Sequence, residues 1–335
     1  MGRRKWNAPR RGSLAFSPRK KARRWIGRVQ YWPQVDGAPR PLAFIGYKAG
    51  MTHVIATDNR KGSITFGKEI AVPVTVIQTP PMLIFGIRAY VKTDRGIKSS
   101  SEVWMQNPPK EITRLITPPK KYSLDGMMKK FEGALDTFNH INLLLTTQPR
   151  LAGKGAKTPQ IFEARLSGGD LKEQFKYAQE KLGKEIKAPE IFQEGQMVDV
   201  IAVSKGKGFQ GPVKRFGVAK LPHKSRKRVR GVGTLGPWHP HFVMRTVPRA
   251  GQMGFHQRTE YNKQILKIGS DGAEVNPKGG FVKYGLITSD YIMLKGSIVG
   301  ATKRLITLRY ALRSPATSEA SLKVEEVNLD SKQGN

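Results

Sequence analysis

The sequence predicts a mainly β protein with an α+β insertion, in which a closed antiparallel β-barrel is built from sequence-distant halves and carries long, irregular basic extensions. Three observations lead to this prediction. Short runs rich in Val, Ile and aromatic residues occupy 41–106 and 266–314, which is typical of strands. Apolar residues at helical spacing appear in 107–194. Lys and Arg are concentrated in two further stretches.

The first part of the predicted barrel is 41–106. Glycines and the Pro80–Pro81 pair separate its strand candidates, which are 42–47, 51–57, 70–78, 83–92 and 98–104. The breaks are short, so the pattern favours an antiparallel sheet.

The predicted α/β insertion is 107–194. Apolar residues at spacings of three or four predict a helix at 124–138, and strands are predicted at 141–147 and 160–166. A second helix is predicted over 171–182, because Asp170 with Glu173 resembles a capping box and Gly183 is a typical stop.

The remaining boundaries follow the return of strand patterns. Residues 195–203 predict a barrel strand, 204–265 a basic excursion rich in Gly and Pro, and 266–314 the final part of the barrel. The last part contains strand candidates at 281–288, 291–299 and 304–312. A polar tail, 315–335, is expected to fray.

Charge is the dominant feature of the composition. The chain of 335 residues has 59 Lys and Arg against 25 Asp and Glu, a formal charge of +34. Residues 1–30, within a predicted basic N-terminal extension at 1–40, contain eleven basic residues and no acid, and 204–265 contains fourteen basic residues with Glu260 as its one acid. Such an excess predicts a polyanionic partner, either nucleic acid or an anionic membrane surface.

Several classes of protein are disfavoured. The chain has no cysteine, which excludes disulfides and thiolate metal sites. The N-terminus lacks the apolar core of a signal peptide, and no run approaches the length of a membrane helix. We therefore expect a soluble, cytoplasmic protein with no membrane-spanning segment.

Two motifs in the basic excursion match short patterns that are found in nucleotide-binding and metal-binding sites. Residues 206–211 satisfy GxGxxG after a predicted strand, but the Gly and Pro residues that follow predict no helix, which a dinucleotide site requires. His239 and His241 lie in a strongly positive stretch that disfavours a divalent cation. We expect no cofactor, no metal, no small-molecule substrate and no enzymatic activity.

Trp238 lies between Pro237 and Pro240, after three glycines, and the pattern predicts a loop tip. Two roles stay open. The indole can stack on an unpaired base or pack in an RNA crevice, or it can fold back onto the barrel as part of the core.

Four segments resemble the universal large-ribosomal-subunit protein L-three family. They are 41–53 (PLAFIGYKAGMTH), 195–211 (GQMVDVIAVSKGKGFQG), 249–256 (RAGQMGFH) and, for the archaeal and eukaryotic form, 8–16 (APRRGSLAF). The resemblance covers nearly the whole chain, and the modest length is similar to that of an archaeal member.

The resemblance implies a ribosome-bound protein whose partners are large-subunit rRNA and neighbouring ribosomal proteins. It implies a barrel of the elongation-factor and reductase kind, an inserted domain on the outer surface of the subunit, and early binding in assembly near the 3′ domain of the rRNA. The Trp238 loop would extend toward the peptidyl-transferase centre, where RNA performs the catalysis.

The expected rRNA-binding residues are mostly cations of the two basic stretches, together with histidines, one glutamine and the loop-tip tryptophan. They are Arg3, Arg4, Lys5, Arg10, Arg11, Arg19, Lys20, Lys21, Arg23, Arg24, Lys205, Lys207, Lys214, Arg215, Lys220, His223, Lys224, Arg226, Lys227, Arg228, Arg230, Trp238, His239, His241, Arg245, Arg249, Gln252, His256, Arg258 and Lys263.

Two other functions remain as alternatives at this stage. Composition alone permits an architectural DNA-binding protein, although the sequence offers no recognition helix or dimerising heptad. An RNA-modifying enzyme that uses the Gly-rich turn for a nucleotide cofactor would be favoured by tight nucleotide binding to the isolated chain.

Overall fold

The protein is mainly β. The computed structural model describes residues 9–60, 62–119, 122–153, 155–225, 228–314, 322–331 and 333. Its strands are β1 (Arg40–Pro41), β2 (Ala43–Asp58), β3 (Glu69–Gln78), β4 (Met82–Thr93), β5 (Gly96–Trp104), β6 (His140–Thr146), β7 (Ile161–Ser167), β8 (Glu185–Ile186), β9 (Met197–Val203), β10 (Phe209–Gln210), β11 (Gly251–Gln252), β12 (Gln257–Gly269), β13 (Tyr291–Lys295), β14 (Leu305–Tyr310) and β15 (Leu322–Val327). The helices are α1 (Leu124–Gly133), α2 (Leu171–Lys181) and α3 (Pro212–Phe216), with 3₁₀ turns at Ile112–Arg114, Leu135–Thr137, Ala188–Glu190 and Gly272–Glu274.

One sheet, here called the ring sheet, has the strand order β14-β9-β12-β13-β3-β2-β15. β14 pairs with β9 through Ile306 and Ala202, and it also pairs with β2 through Ile306 and Gly46. The strand pairings from β2 to β14 therefore return to their starting point. Strands that precede and follow the insertion in sequence become direct neighbours.

A second sheet has the order β1-β7-β6-β4-β5, with β8 added to β4. The sequence predicts β4 and β5 as continuations of the first sheet, but Ile87 of β4 pairs with Leu143 of β6. The change of sheet follows β3, where Pro80 and Pro81 offer no backbone N–H for a ladder. β4 is therefore hydrogen-bonded to strands of the predicted insertion, and β5 joins the same sheet through β4.

Helices α1 and α2 cover the second sheet through aromatic side chains. The buried rings of Phe131 and Phe175 stack with their centroids 5.1 Å apart. The start of α2 is confirmed, and the backbone N–H of Asp170 donates to Glu173 Oε2 over 3.3 Å. The first predicted helix is too long, because α1 ends at Gly133 and a 3₁₀ turn follows.

A buried ion pair joins four segments of the chain. Arg309 on β14 donates to the carboxylate of Asp199 on β9, and both side chains are almost completely buried. The carboxylate also accepts from the backbone N–H groups of Asn262 and Leu312, each over 3.0 Å. Arg309 donates in addition to the carbonyl of Tyr31. The pair therefore satisfies backbone groups that would otherwise be buried without partners.

Three predicted segments differ from the structure. The excursion predicted to 265 ends earlier, because β12 begins at Gln257; its apolar signal is confined to Ile265 and its neighbours. The predicted strand at 281–288 is a turn with one bridge between Phe281 and Gly285, since Lys283 and Gly285 have positive φ. The C-terminal tail contains β15, whose Leu322 is buried against β2.

The chain divides into two compact units. The basic unit comprises Met1–Arg24 and Val203–Gln257, and the body unit comprises Trp25–Ala202 and Arg258–Asn335. The sequence predicts a basic N-terminal extension as far as residue 40, but residues from Trp25 onward belong to the body unit. There the guanidinium of Arg304 lies 4.9 Å from the ring centroid of Trp25.

Candidate nucleic-acid interface

The basic unit contains 22 Lys and Arg residues and no Asp or Glu. Its cations consequently have no side-chain carboxylate within the unit to pair with. Like charges confined in this way repel each other, and only carbonyl oxygens, aromatic rings or an external anion can offset that repulsion. This imbalance makes the unit the candidate interface.

Backbone carbonyls hold the two chain segments of the unit together. The N–H of Ala22 donates to the carbonyl of Phe255 over 2.8 Å. The buried His256 has its Nδ1 2.8 Å from the carbonyl oxygen of Lys20. Arg10 Nη2 donates to the carbonyl of Thr246 over 2.6 Å. These contacts order the described part of the N-terminal segment against residues more than 200 positions away in sequence.

Arg215, which lies on α3, is fixed by the loop that contains β11. Its Nε donates to the carbonyl of Gln252 over 2.9 Å, and its Nη1 donates to the carbonyl of Arg249 over 3.0 Å. A Cβ on Gly251 would lie 3.1 Å from the guanidinium carbon of Arg215. The glycine therefore allows the guanidinium to lie close to the backbone.

The ring of Phe216 is the centre of a cationic cluster. The guanidinium carbons of Arg19 and Arg215 lie 4.5 and 4.9 Å from its centroid. Gly12 also packs on this ring, since a Cβ at this position would come within 2.2 Å of a ring carbon. Burial, and secondarily the charge of Arg19, lowers the pKa of Arg215. A bound anion would counteract this lowering, because a nearby negative charge favours the charged form of the guanidinium.

Free donors remain in this cluster. Among the described residues, Nη2 of Arg215 and both Nε and Nη1 of Arg19 meet no hydrogen-bond acceptor. Guanidinium groups donate in pairs to phosphate oxygens. The Phe216 ring thus orients two guanidinium groups whose unused donors match the chemistry of a phosphodiester.

The Gly-rich turn is built differently from a dinucleotide site. A helix does begin after it, contrary to the prediction, but α3 has only five residues and ends where Gly217 takes a φ of 65°. Instead, residues 206–211 include β10, which pairs with β11. Gly254 is required there, because its φ is +70° and a Cβ would come within 2.1 Å of the carbonyl oxygen of Lys205.

Trp238 is 83% exposed, so the alternative in which it packs into the core is wrong. Its ring contacts that of His241 at 6.3 Å between centroids, and His239 lies 4.5 Å from the same histidine. An exposed aromatic cluster of this kind is chemically suited to stacking on unpaired bases.

The predicted site residues fall into four groups by environment. Exposed residues are Arg10, Arg11, Lys20, Lys21, Arg23, Arg24, Lys205, Lys207, Lys214, Lys220, His223, Lys224, Arg228, Arg230, Trp238, His239, His241, Arg245 and Arg249. Half-buried residues are Arg19, Arg215 and Gln252 in the basic unit, and Arg258 and Lys263 in the body unit. His256 is buried. Arg3, Arg4, Lys5, Arg226 and Lys227 lie outside the described residues.

The rRNA-binding residues predicted from the sequence do not include the phenylalanine rings on which the cations lie. Phe216 organises two arginines, and the ring of Phe255 lies 5.7 Å from the Lys21 ammonium. Both phenylalanines occur in cation-rich sequence, and that adjacency is the one signal that could have identified them. Their partners come from a distant segment, which no local pattern reveals.

The body unit contains a second ionisable cluster, on the second sheet. Arg88 pairs with Glu102 and Glu163, and Tyr90 donates to Glu163 while stacking on His140 at 4.8 Å. Burial, and secondarily the charge of Arg165, lowers the pKa of His140 to about 4. Each carboxylate in this cluster has a cationic or hydroxyl partner, which is typical of a structural network.

Within the described ranges, no group of three or more His, Asp and Glu side chains is arranged to hold a metal ion. The same residues include no helix long and apolar enough to cross a membrane.

Comparison with known proteins identifies the family. A sequence profile of the family described as Ribosomal protein L3 matches residues 1–334. The large ribosomal subunit protein uL3 of Methanothermobacter thermautotrophicus is 49% identical, over 97% of this chain and 98% of that protein. The uL3 proteins of Archaeoglobus fulgidus and Aeropyrum pernix are each 48% identical, over 98% and 100% of this chain and 99% and 100% of their own lengths. The chain belongs to the ribosomal protein L3 family.

Proposed function

We propose that this chain is a structural constituent of the large ribosomal subunit that binds large-subunit rRNA through its basic unit. The observation that carries the proposal is the presence of 22 cations and no acid in one compact unit. The exposed cations would neutralise phosphates, and the glycines would let the backbone approach them closely. The chain would act in the ribosome by shaping RNA, without catalysing a reaction.

Individual residues would have different roles in this interface. Arg19 and Arg215, oriented by Phe216, would hold one phosphate in a fixed place. Buried His256 would position the N-terminal segment through the Lys20 carbonyl and would not contact RNA itself. Trp238 would stack on RNA at the loop tip, because its indole is exposed and its neighbouring rings are close.

The resemblance to the family supports a finer proposal about place and time. The chain would bind early in assembly, near the 3′ domain of the large-subunit rRNA, and the Trp238 loop would extend toward the peptidyl-transferase centre. Neighbouring ribosomal proteins would contact the body unit. We also propose that the ring sheet is a closed barrel of the elongation-factor and reductase kind, because β14 has strand neighbours on both sides.

Salt-dependent binding tests the rRNA proposal. The full chain would be titrated with a 3′-domain rRNA transcript by filter binding between 50 and 200 mM salt. If about ten phosphates are neutralised, affinity should fall by roughly 10³ to 10⁵, on the scale established for duplex DNA. Equal affinity for unrelated duplex RNA, or for duplex DNA, would contradict specific rRNA binding and favour a general polyanion binder.

A matched pair of double variants locates the interface. Replacing exposed Lys205 and Lys207 by Ala should weaken binding and reduce the slope of log affinity against log salt by about 2. Replacing the equally exposed Lys129 and Lys130 of α1 by Ala removes the same charge from the body unit and should leave the slope unchanged. Equal effects of the two double variants would show that net charge alone determines binding.

A further inference from the structure

One buried carboxylate organises the loop between β2 and β3, of which the structure describes residues 59–60 and 62–68. The side chain of Asp58 is completely buried. It accepts hydrogen bonds from Arg60 Nε and Nη2 over 2.8 and 2.7 Å, from Ser63 Oγ over 2.8 Å, and from Thr65 Oγ1 over 2.5 Å. The bond from Arg60, followed by that from Thr65, holds the pKa of Asp58 well below its usual range. The carboxylate therefore stays ionised and can accept all of these hydrogen bonds near neutral pH.

Backbone hydrogen bonds close the same loop at its base. The N–H of Asp58 donates to the carbonyl of Lys68 over 3.1 Å, and the N–H of Gly67 donates to the carbonyl of Asp58 over 2.8 Å. Within the loop, Phe66 donates to the carbonyl of Ser63 over 3.1 Å. Backbone hydrogen bonds thus constrain residues 62–68, which reduces the conformational entropy that they would lose on binding a partner.

The tip displays apolar side chains. Ile64 is 97% exposed, more than any other large apolar side chain among the described residues, and Phe66 is 55% exposed. An isoleucine in this position adds nothing to the core, yet five polar bonds keep its loop in one shape. Burial of this side chain on a partner would be favourable.

The chemistry of the loop favours protein over RNA as the partner. Residues 58–69 contain three basic and two acidic residues, in contrast to the basic unit, which has no acid. The guanidinium of Arg60 is engaged by Asp58, and Ile64 offers no aromatic face to a base. An apolar pocket with an acidic rim would accept Ile64 and complement Lys68, which is exposed beside it.

We propose that residues 62–68 of this loop form a docking element whose shape is already set, and that Ile64 inserts into an apolar, acid-rimmed pocket on a neighbouring protein of the large subunit. The proposal rests on the chain being part of that subunit, but it does not depend on how the basic unit binds rRNA. Failure of the rRNA-binding experiments and failure of this docking proposal are therefore separate results.

Site-specific photocrosslinking in assembled large subunits tests the proposal. A benzophenone amino acid would replace Phe66 in the full chain, and the matched control would carry it at Ile97, which is 60% exposed on β5. Protease and nuclease digestion followed by mass spectrometry would identify each adduct. We expect one discrete protein adduct from position 66, at several times the yield from position 97.

Two variants then test the mechanism of docking. With the crosslinker at position 66, Ile64→Asp should lower the adduct yield about tenfold, as expected for loss of a buried isoleucine. Asp58→Asn should lower the yield by releasing the loop, and circular dichroism would verify that the sheets remain folded. An adduct with rRNA, an adduct with a second copy of this chain, no adduct above the control, or a yield unaffected by Ile64→Asp would each overturn the proposal.

Discussion

Removing the charge of Asp199 should strongly destabilise the body unit. Asp199→Asn keeps the shape of the side chain but leaves the guanidinium of Arg309, which is only 3% exposed, without its counter-charge. The amide also cannot accept from both backbone N–H groups as well as the carboxylate does. Breaking a buried pair by removing one partner costs about 3–5 kcal/mol. That is a large part of the 5–15 kcal/mol that typically stabilises a domain.

Urea unfolding of the full chain measures this loss. The midpoint should fall while the dependence of unfolding free energy on urea stays constant. Glu325→Gln is the matched control, because the Lys323–Glu325 pair is exposed and should contribute under about 1 kcal/mol. The double variant Asp199→Leu with Arg309→Met should lose less than the sum of its single changes. An Asp199→Asn loss no greater than the control, or strictly additive single changes, would refute this account of the pair.

Three further outcomes are expected. Burial and the charge of Arg165 lower the pKa of His140 from 6.5 to about 4, so the unfolded state takes up the proton at a higher pH than the folded state does. The free energy of unfolding should therefore fall by about 2–3 kcal/mol between pH 7 and pH 4. Identical pH profiles for wild type and His140→Phe would contradict this. Trp238→Ala should leave the melting temperature of the isolated chain nearly unchanged, because the indole is exposed. The same change should impair peptide synthesis by reconstituted subunits. A large drop in melting temperature would show that the indole packs in the core. Arg215→Gln should reduce the salt slope of rRNA binding by about 1, and an unchanged slope would show that this guanidinium contacts no phosphate.

Local sequence patterns predicted where strands and helices lie better than they predicted which strands pair with each other. The capping residues at Asp170 and Glu173 identified the start of α2, and alternating Val and Ile identified β9. The same patterns assigned β4 to the wrong neighbours, because strand periodicity states which residues share a face but not which strand lies alongside. β12 was hidden for another reason, since only Gln264–Leu266 of its thirteen residues are buried.

The candidate site was predicted in composition but not in geometry. Charge density selected Arg19 and Arg215 among some thirty candidates. The fold places their guanidinium groups on one ring, that of Phe216. Gly12 and Gly251 lack a Cβ, which lets the backbone lie close to this ring and to the Arg215 guanidinium. Contacts across such sequence separations depend on the whole chain path, so no window of residues contains them.

The separation of charge between the two units has a thermodynamic consequence. All 25 acidic residues lie in the body unit, where the carboxylate of Asp199, for example, is paired with a cation of the same unit, Arg309. The basic unit instead fixes its cations with carbonyl oxygens and phenyl rings, which order a guanidinium without cancelling its charge. Its mutual repulsion therefore remains to be offset by an anion from outside. A polyanion that binds the folded basic unit therefore also stabilises it, by an amount that grows with the concentration of the polyanion relative to Kd. An unbound chain should accordingly lose the structure of its basic unit before that of its body unit.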